Sequence, residues 1–323
     1  MRPTIQTTVA ALLAIAVLGI PAANAQTSVP AGSISTDTIW TLAGSPYEVQ
    51  GTITIQGTDG ADGVTTLTIE PGVEVRMAAN AFVYVGGTSA SFPGALVADG
   101  DAAGGPATIR FTADSGAPSP GFWRGVQLRG GADASTLLRN VEIRYAGAFT
   151  SPALLVQTGA AISIPIEDVR IRDAAEAGIR VVSGVPAVSG CTLENNGSFD
   201  VELAGSPNVG GSFDGCTLSS VEYEGTAPQP IAWTGNTFVD YGARTSILDP
   251  DDLGAFAVGN TFVPVGGAVT DVLTGTVTVD GTWTAQLSPY LVRGTLTIQG
   301  PSATLATLTL EPGVEVRMAA NAF

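Results

Sequence analysis

Two neighbouring stretches, VEIRYAG (141–147) and VRIRDAAEAGIRV (169–181), set Arg144, Arg172 and Arg180 among Glu142, Asp173 and Glu176. An arginine among several carboxylates on a concave face could act on a uronate sugar. The same residues as outward side chains on neighbouring strands would pair along a ladder, each pair contributing about 0.2–1 kcal/mol. The ladder is the reading adopted, and no catalytic residue is assigned. All 13 basic residues are arginine, and the chain has no histidine and no lysine. That excludes a Ser-His-Asp triad, histidine-ligated zinc and the commonest general base. The densest acidic runs are DPDD (Asp249 to Asp252) and TDGADG, with Asp59 and Asp62. Calcium is the one cofactor such oxygen-rich loops leave open. Neither run has the spacing of a twelve-residue calcium loop, so no metal ligand is assigned and solvated turns are expected. Trp123 and Tyr145 have the chemistry to stack on a sugar ring, but packing at a strand edge is the expected role. Tyr47 and Tyr290, each in an SPY triplet, are expected to be structural.

The rest of the chain shows what must hold these residues. It has 323 residues and 45% hydrophobic content, enough for a large core. Its 29 carboxylates give a net charge of −16, which disfavours nucleic acid and anionic membranes as partners. Arg2, the apolar run Val9 to Ile20 and the PAANA site predict an export signal over 1–25, cleaved after Ala25. No later run is long and apolar enough to cross a bilayer as a helix.

Beyond residue 25 the pattern is short alternating runs, such as GTITIQG (51–57), VEIRY (141–145) and GTVTVDG (275–281). These are strand signals bounded by turn residues. GCTL recurs at 190 and 215, GNTF at 235 and 259, with NVEI at 140 and DVRI at 168 as looser versions. Val141, Val169, Thr192, Thr217, Thr237 and Thr261 are read as equivalent, at a step averaging 24 residues. Like residues returning at one irregular step predict an all-β, right-handed parallel β-helix with coils of about 20–28 residues. A β-sandwich also has closely spaced strands but leaves the returning residues unexplained.

Within the tetrapeptide, the Leu/Phe column and the residues Cys191, Cys216, Asn236 and Asn260 should face inward, with threonines outward. Cys191 and Cys216 should then stack on consecutive coils. Their Cα atoms would lie about 4.8 Å apart, within disulfide range. A disulfide and a stacked pair of thiols both remain open.

A longer repeat lies above the coil. LTIEPGVEVRMAANAF spans 67–82, and 308–323 restates it with Leu310 in place of Ile69. WTLAGSPYEVQGTITIQG (40–57) likewise matches WTAQLSPYLVRGTLTIQG (283–300). The expected organisation is a signal (1–25), a first β-helix unit (26–275) and the start of a second (276–323). The 323 residues are accordingly expected to be the front of a longer protein.

The W-T-x3-S-P-Y opening, the LTIEPGVEVRM strand and the block from IRFTADSG to VEIRYAG (109–147) carry a resemblance. They resemble the secreted bacterial right-handed parallel β-helix repeat proteins of pectin-lyase-like fold. That resemblance implies export and fold, while activity varies widely on such a scaffold. The function expected is a secreted or cell-surface scaffold, structural or adhesive, with carbohydrate as the ligand class. The alternative is a polysaccharide lyase or glycoside hydrolase. The expected partners are an extracellular polysaccharide or another surface protein.

Overall fold

The computed structural model describes residues 26–205, 210–223, 231–243, 246–301 and 305–323, so the expected export signal lies outside the described residues. The described chain is a right-handed parallel β-helix. Three long sheets run along its axis. Sheet A has ten strands, from Thr27–Val29 to Thr261–Pro264; sheet B has twelve, from Gly32–Ile34 to Val316–Met318; sheet C has eight, from Thr38–Trp40 to Ile231–Thr234. Each coil places one strand on A, one on B and one on C, and stacks each on the coil before it in parallel. The rest of each coil supplies the long crossover that a parallel pair requires.

Period-two alternation sends every second side chain to the interior. On sheet B this aligns Val83, Val126, Leu154, Ile179, Val201 and Val221 as one inward column. All six are buried. Burying an aliphatic side chain of this size contributes about 1.5–3 kcal/mol relative to leaving it exposed. Like residues therefore recur because each must fill the space above its predecessor.

The tetrapeptide marks the corner entering sheet A. Its first residues, Asn140, Asp168, Gly190, Gly215, Gly235 and Gly259, all have left-handed backbone, with φ between 49° and 78°. Only glycine, or asparagine and aspartate, takes that conformation at low cost. The pairing corrects the sequence register by one residue upstream of Gly190. Glu142 pairs with Arg170, and Arg170 with Thr192. The outward column is thus Glu142, Arg170, Thr192, Thr217, Thr237 and Thr261. Val141 and Val169 belong to the inward column above Cys191. Matching Val141 and Val169 to Thr192 is one residue out of register, and a one-residue slip exchanges the two faces.

That inward column ends in two asparagines, buried at 0% and 8% exposure. Asn236 Nδ2 donates to Asn260 Oδ1 (2.9 Å) and to the Phe213 carbonyl (2.9 Å), while its own Oδ1 accepts from the Cys216 N–H (2.8 Å). Asn260 Nδ2 donates to the Phe256 carbonyl at 2.8 Å. The stacked amides satisfy each other, as a buried polar group requires.

Sheet C ends with Ile231–Thr234 and sheet A with Thr261–Pro264, whereas sheet B continues. A five-residue helix, Leu253–Ala257, follows the sheet B strand Ile247–Leu248, where earlier coils place a sheet C strand. Strand-for-strand correspondence between the two copies begins at Thr27 and Thr270. Thr27 pairs with Tyr47, and Thr270 with Tyr290. The first pair lies in sheet A and the second in sheet B, so the second copy is seated one face further round.

Candidate functional site

The outward face of sheet A carries a connected grid of charge. Arg76 reaches Glu74 at 2.6 Å and Glu48 at 3.9 Å; Arg110 links Glu74 (3.5 Å) to Glu142 (2.6 Å). Arg172 donates to Glu142 at 2.8 Å, and Arg144 stands 3.8 Å from it. Glu142 is the hub, with its side chain only 7% exposed. Burial pushes its carboxyl upward, but hydrogen bonds from Arg110 and Arg172 outweigh this and hold it below the usual range. Glu142 raises the Arg110 guanidinium further by its hydrogen bond, and the Arg172 guanidinium is raised against the opposing effect of its burial. A carboxylate held ionised in this way is a weak base, and such arginines do not exchange protons near neutrality. The grid orders the face and holds its register.

Beside the grid lies a cleft of about 530 Å³ lined by Glu74, Arg76, Asp114, Ser115, Arg144 and Tyr145. Tyr145 takes a left-handed backbone, φ 59°, at the corner leaving sheet A. Arg144 Nη2 donates to the Tyr145 hydroxyl at 2.7 Å, with its guanidinium 4.8 Å from the ring centre. Arg144 Nε is buried without a hydrogen-bond partner.

A second array lies along the outward face of sheet B, built from residues that the sequence alone did not single out. Phe82 and Tyr84 stack with ring centres 4.7 Å apart. Arg129 lies 3.5 Å over Tyr84, and Arg124 sits between Phe82 at 5.2 Å and Phe149 at 4.6 Å. The strand FVYV (82–85) turns its valines inward and its aromatics outward. That alternation was the available signal. Gly125 lies opposite Phe82 and Gln127 opposite Tyr84.

No family model, curated protein or solved structure matches this chain.

The residues named from sequence fall in several places. Arg144, Arg172, Glu142 and Asp173 do converge on sheet A, with Arg172 3.4 Å from Asp173. Arg180 does not join them: it lies on sheet B, pairing with Glu202 and reaching the Thr150 carbonyl at 3.4 Å. Trp123 is fully buried, and its indole N–H donates to the Arg144 carbonyl at 2.7 Å, so its ring is closed to a sugar. Tyr47 and Tyr290 are internal clamps. Each phenol accepts from a backbone N–H six residues upstream, Thr41 at 2.8 Å and Thr284 at 2.9 Å.

The acidic runs cap turns. Asp59 accepts from the Asp37 N–H (2.8 Å) and Asp62 from the Val64 N–H (3.1 Å). Asp249 accepts from the Asp251 N–H (2.9 Å), and Asp251 from the Thr278 N–H (2.6 Å). Among the described residues no group of three potential metal-ligating side chains comes together. Cys191 and Cys216 stack on consecutive coils, because Thr192 pairs with Thr217. Both are buried free thiols. The hydrogen bond with Cys216 and burial push the Cys191 thiol upward.

Proposed function

We propose that the protein is a secreted or cell-surface β-helix scaffold with a structural or adhesive role. The observation that carries this reading is sheet B, which passes unbroken from the first unit into its repeat through twelve strands. A ladder that crosses a repeat boundary makes one stiff shaft, since each coil is hydrogen-bonded to the next along its length. At about 4.8 Å per strand, twelve strands give a shaft roughly 50 Å long. The paired outer charges keep such a shaft soluble and in register. The resemblance of its motifs to those of secreted pectin-lyase-like β-helix proteins supports export.

The test is small-angle scattering of the mature chain together with surface labelling of cells that produce it. A rod of about that length, and labelling of intact cells or recovery from the medium with Gln26 as first residue, are expected. A compact sphere, or retention inside the cell with residues 1–25 attached, would refute the reading.

A further inference from the structure

Among the 11 described arginines, nine hold a carboxylate: Arg76, Arg110, Arg139, Arg144, Arg170, Arg172, Arg180, Arg293 and Arg317. Arg124 and Arg129 hold none. They flank the sheet B strand Gly125–Leu128 and lie against aromatic rings, in the order Phe149, Arg124, Phe82, Tyr84, Arg129. In a chain of net charge −16 this is an island of uncompensated positive charge.

Phe149 adds an independent sign. It is 66% exposed. Phe149 and Thr150 are consecutive left-handed residues, φ 57° and 56°, neither of them glycine. A bulky side chain in that region is strained, and such strain persists only where the surroundings impose it. Here the Ala148 N–H donates to the Trp123 carbonyl (3.1 Å) and Arg180 to the Thr150 carbonyl (3.4 Å). The turn is pinned from both sides, and its product is an aromatic ring held out in water with a guanidinium on one face.

We propose that this stripe is a binding site for a linear anionic polysaccharide. The free face of Phe149 stacks on the apolar face of a sugar ring. The N–H edges of Arg124 and Arg129 take carboxylate or sulfate groups along the chain, and Gln127 lies between them to meet a hydroxyl. Size selects the occupant. The stripe spans three coils, about 10 Å across at the strand spacing, which suits a single glycan chain. A stable protein interface needs about 800 Å² per partner. The acidic shaft around the stripe repels every polyanion, glycan and nucleic acid alike, so contact is confined to the stripe, and the DNA oligomer is the competing outcome of the test.

The proposal specifies a ligand for the scaffold, and its failure would leave the scaffold reading intact, because shaft length and surface location are measured separately. The test is isothermal titration of the mature protein with polygalacturonate, dextran sulfate, neutral dextran and a single-stranded DNA oligomer, at low and moderate salt. Binding to one or both anionic glycans, weakened by salt, is expected. The double variant Arg124→Gln/Arg129→Gln should lose at least tenfold in affinity, and Phe149→Ala several-fold. Arg139→Gln, which breaks an ion pair on sheet C, should bind as the parent does. Matching circular dichroism and melting of each variant exclude unfolding as the cause. Unchanged affinity in the double variant, equal binding of neutral dextran, preference for the DNA, or no binding to either anionic glycan would each overturn the proposal.

Discussion

The two copies of LTIEPGVEVRMAANAF have almost the same letters and different surroundings. In the first, Leu67, Ile69, Met77 and Phe82 are buried; in the second, Leu310, Met318 and Phe323 are 47%, 48% and 78% exposed. Local hydrogen bonds are nonetheless reproduced. Glu70 accepts from the Leu42 N–H (2.8 Å) and Glu311 from the Ala285 N–H (2.9 Å). Ser45 accepts from the Glu74 N–H (2.9 Å), and Ser288 from the Glu315 N–H (2.8 Å). Trp40 stacks on Tyr47 and Trp283 on Tyr290, both at 4.7 Å. In this solenoid a segment fixes its own turns and clamps, whereas the coil laid over it decides how deeply its apolar residues are buried.

The comparison is most severely tested at its one altered position. Ile69→Ala should cost about 2–5 kcal/mol, as for a buried aliphatic side chain. Leu310→Ala should cost about 0.5 kcal/mol or less, as for a surface site. Urea unfolding of the chain from Gln26 onward measures both, and equal losses would break the comparison. Next comes the hub of sheet A. Glu142→Gln should cost about 1–3 kcal/mol at pH 7, because two arginines lose a charged acceptor. Its folded pKa lies below the unfolded value of about 4.3, so this stabilisation is present above that pH and disappears as pH falls through the folded value. Variant and parent melting temperatures should therefore converge in acid.

The clamps sharpen the contrast by being alike. Tyr47→Phe and Tyr290→Phe should each cost about 1 kcal/mol, since each loses one local hydrogen-bonded bridge. Burial pushes the Tyr290 phenol up to about 12. The stability it contributes is complete below its unfolded pKa, about 10, and is lost as pH rises towards the folded value. Alkaline titration watched by tyrosinate absorbance should show this late ionisation, and its absence in Tyr290→Phe assigns it. Smallest of all is the ion pair of the second copy. Glu315 and Arg317 lie 2.8 Å apart but are 59% and 51% exposed, so Glu315→Gln should leave the melting temperature unchanged.

Much of this architecture was legible from the residues. The returning tetrapeptide located the corner, the inward Leu/Phe column, the cysteine stack and the asparagine pair, because one small turn motif must recur wherever the chain re-enters sheet A. The register upstream of Gly190 was misread because NVEI and DVRI share the alternation of GCTL but not its letters. The arginine–aromatic stripe escaped for a related reason. Phe82 and Gly125 are opposite each other yet 43 residues apart, far from the mean coil step, because a long loop intervenes. Outward residues on different coils become neighbours only when each loop length is known, and loop length varies freely in a solenoid.

The one-face advance of the second copy has a consequence for valency. Arg76 lies on a sheet A strand, and its counterpart Arg317 on a sheet B strand. A flat partner that recognised this corner would therefore meet it only once from any direction. Two such partners would approach the protein on different faces. A single bivalent partner would have to wrap partly around the shaft, and a linker too short to do so would gain no avidity from the duplication.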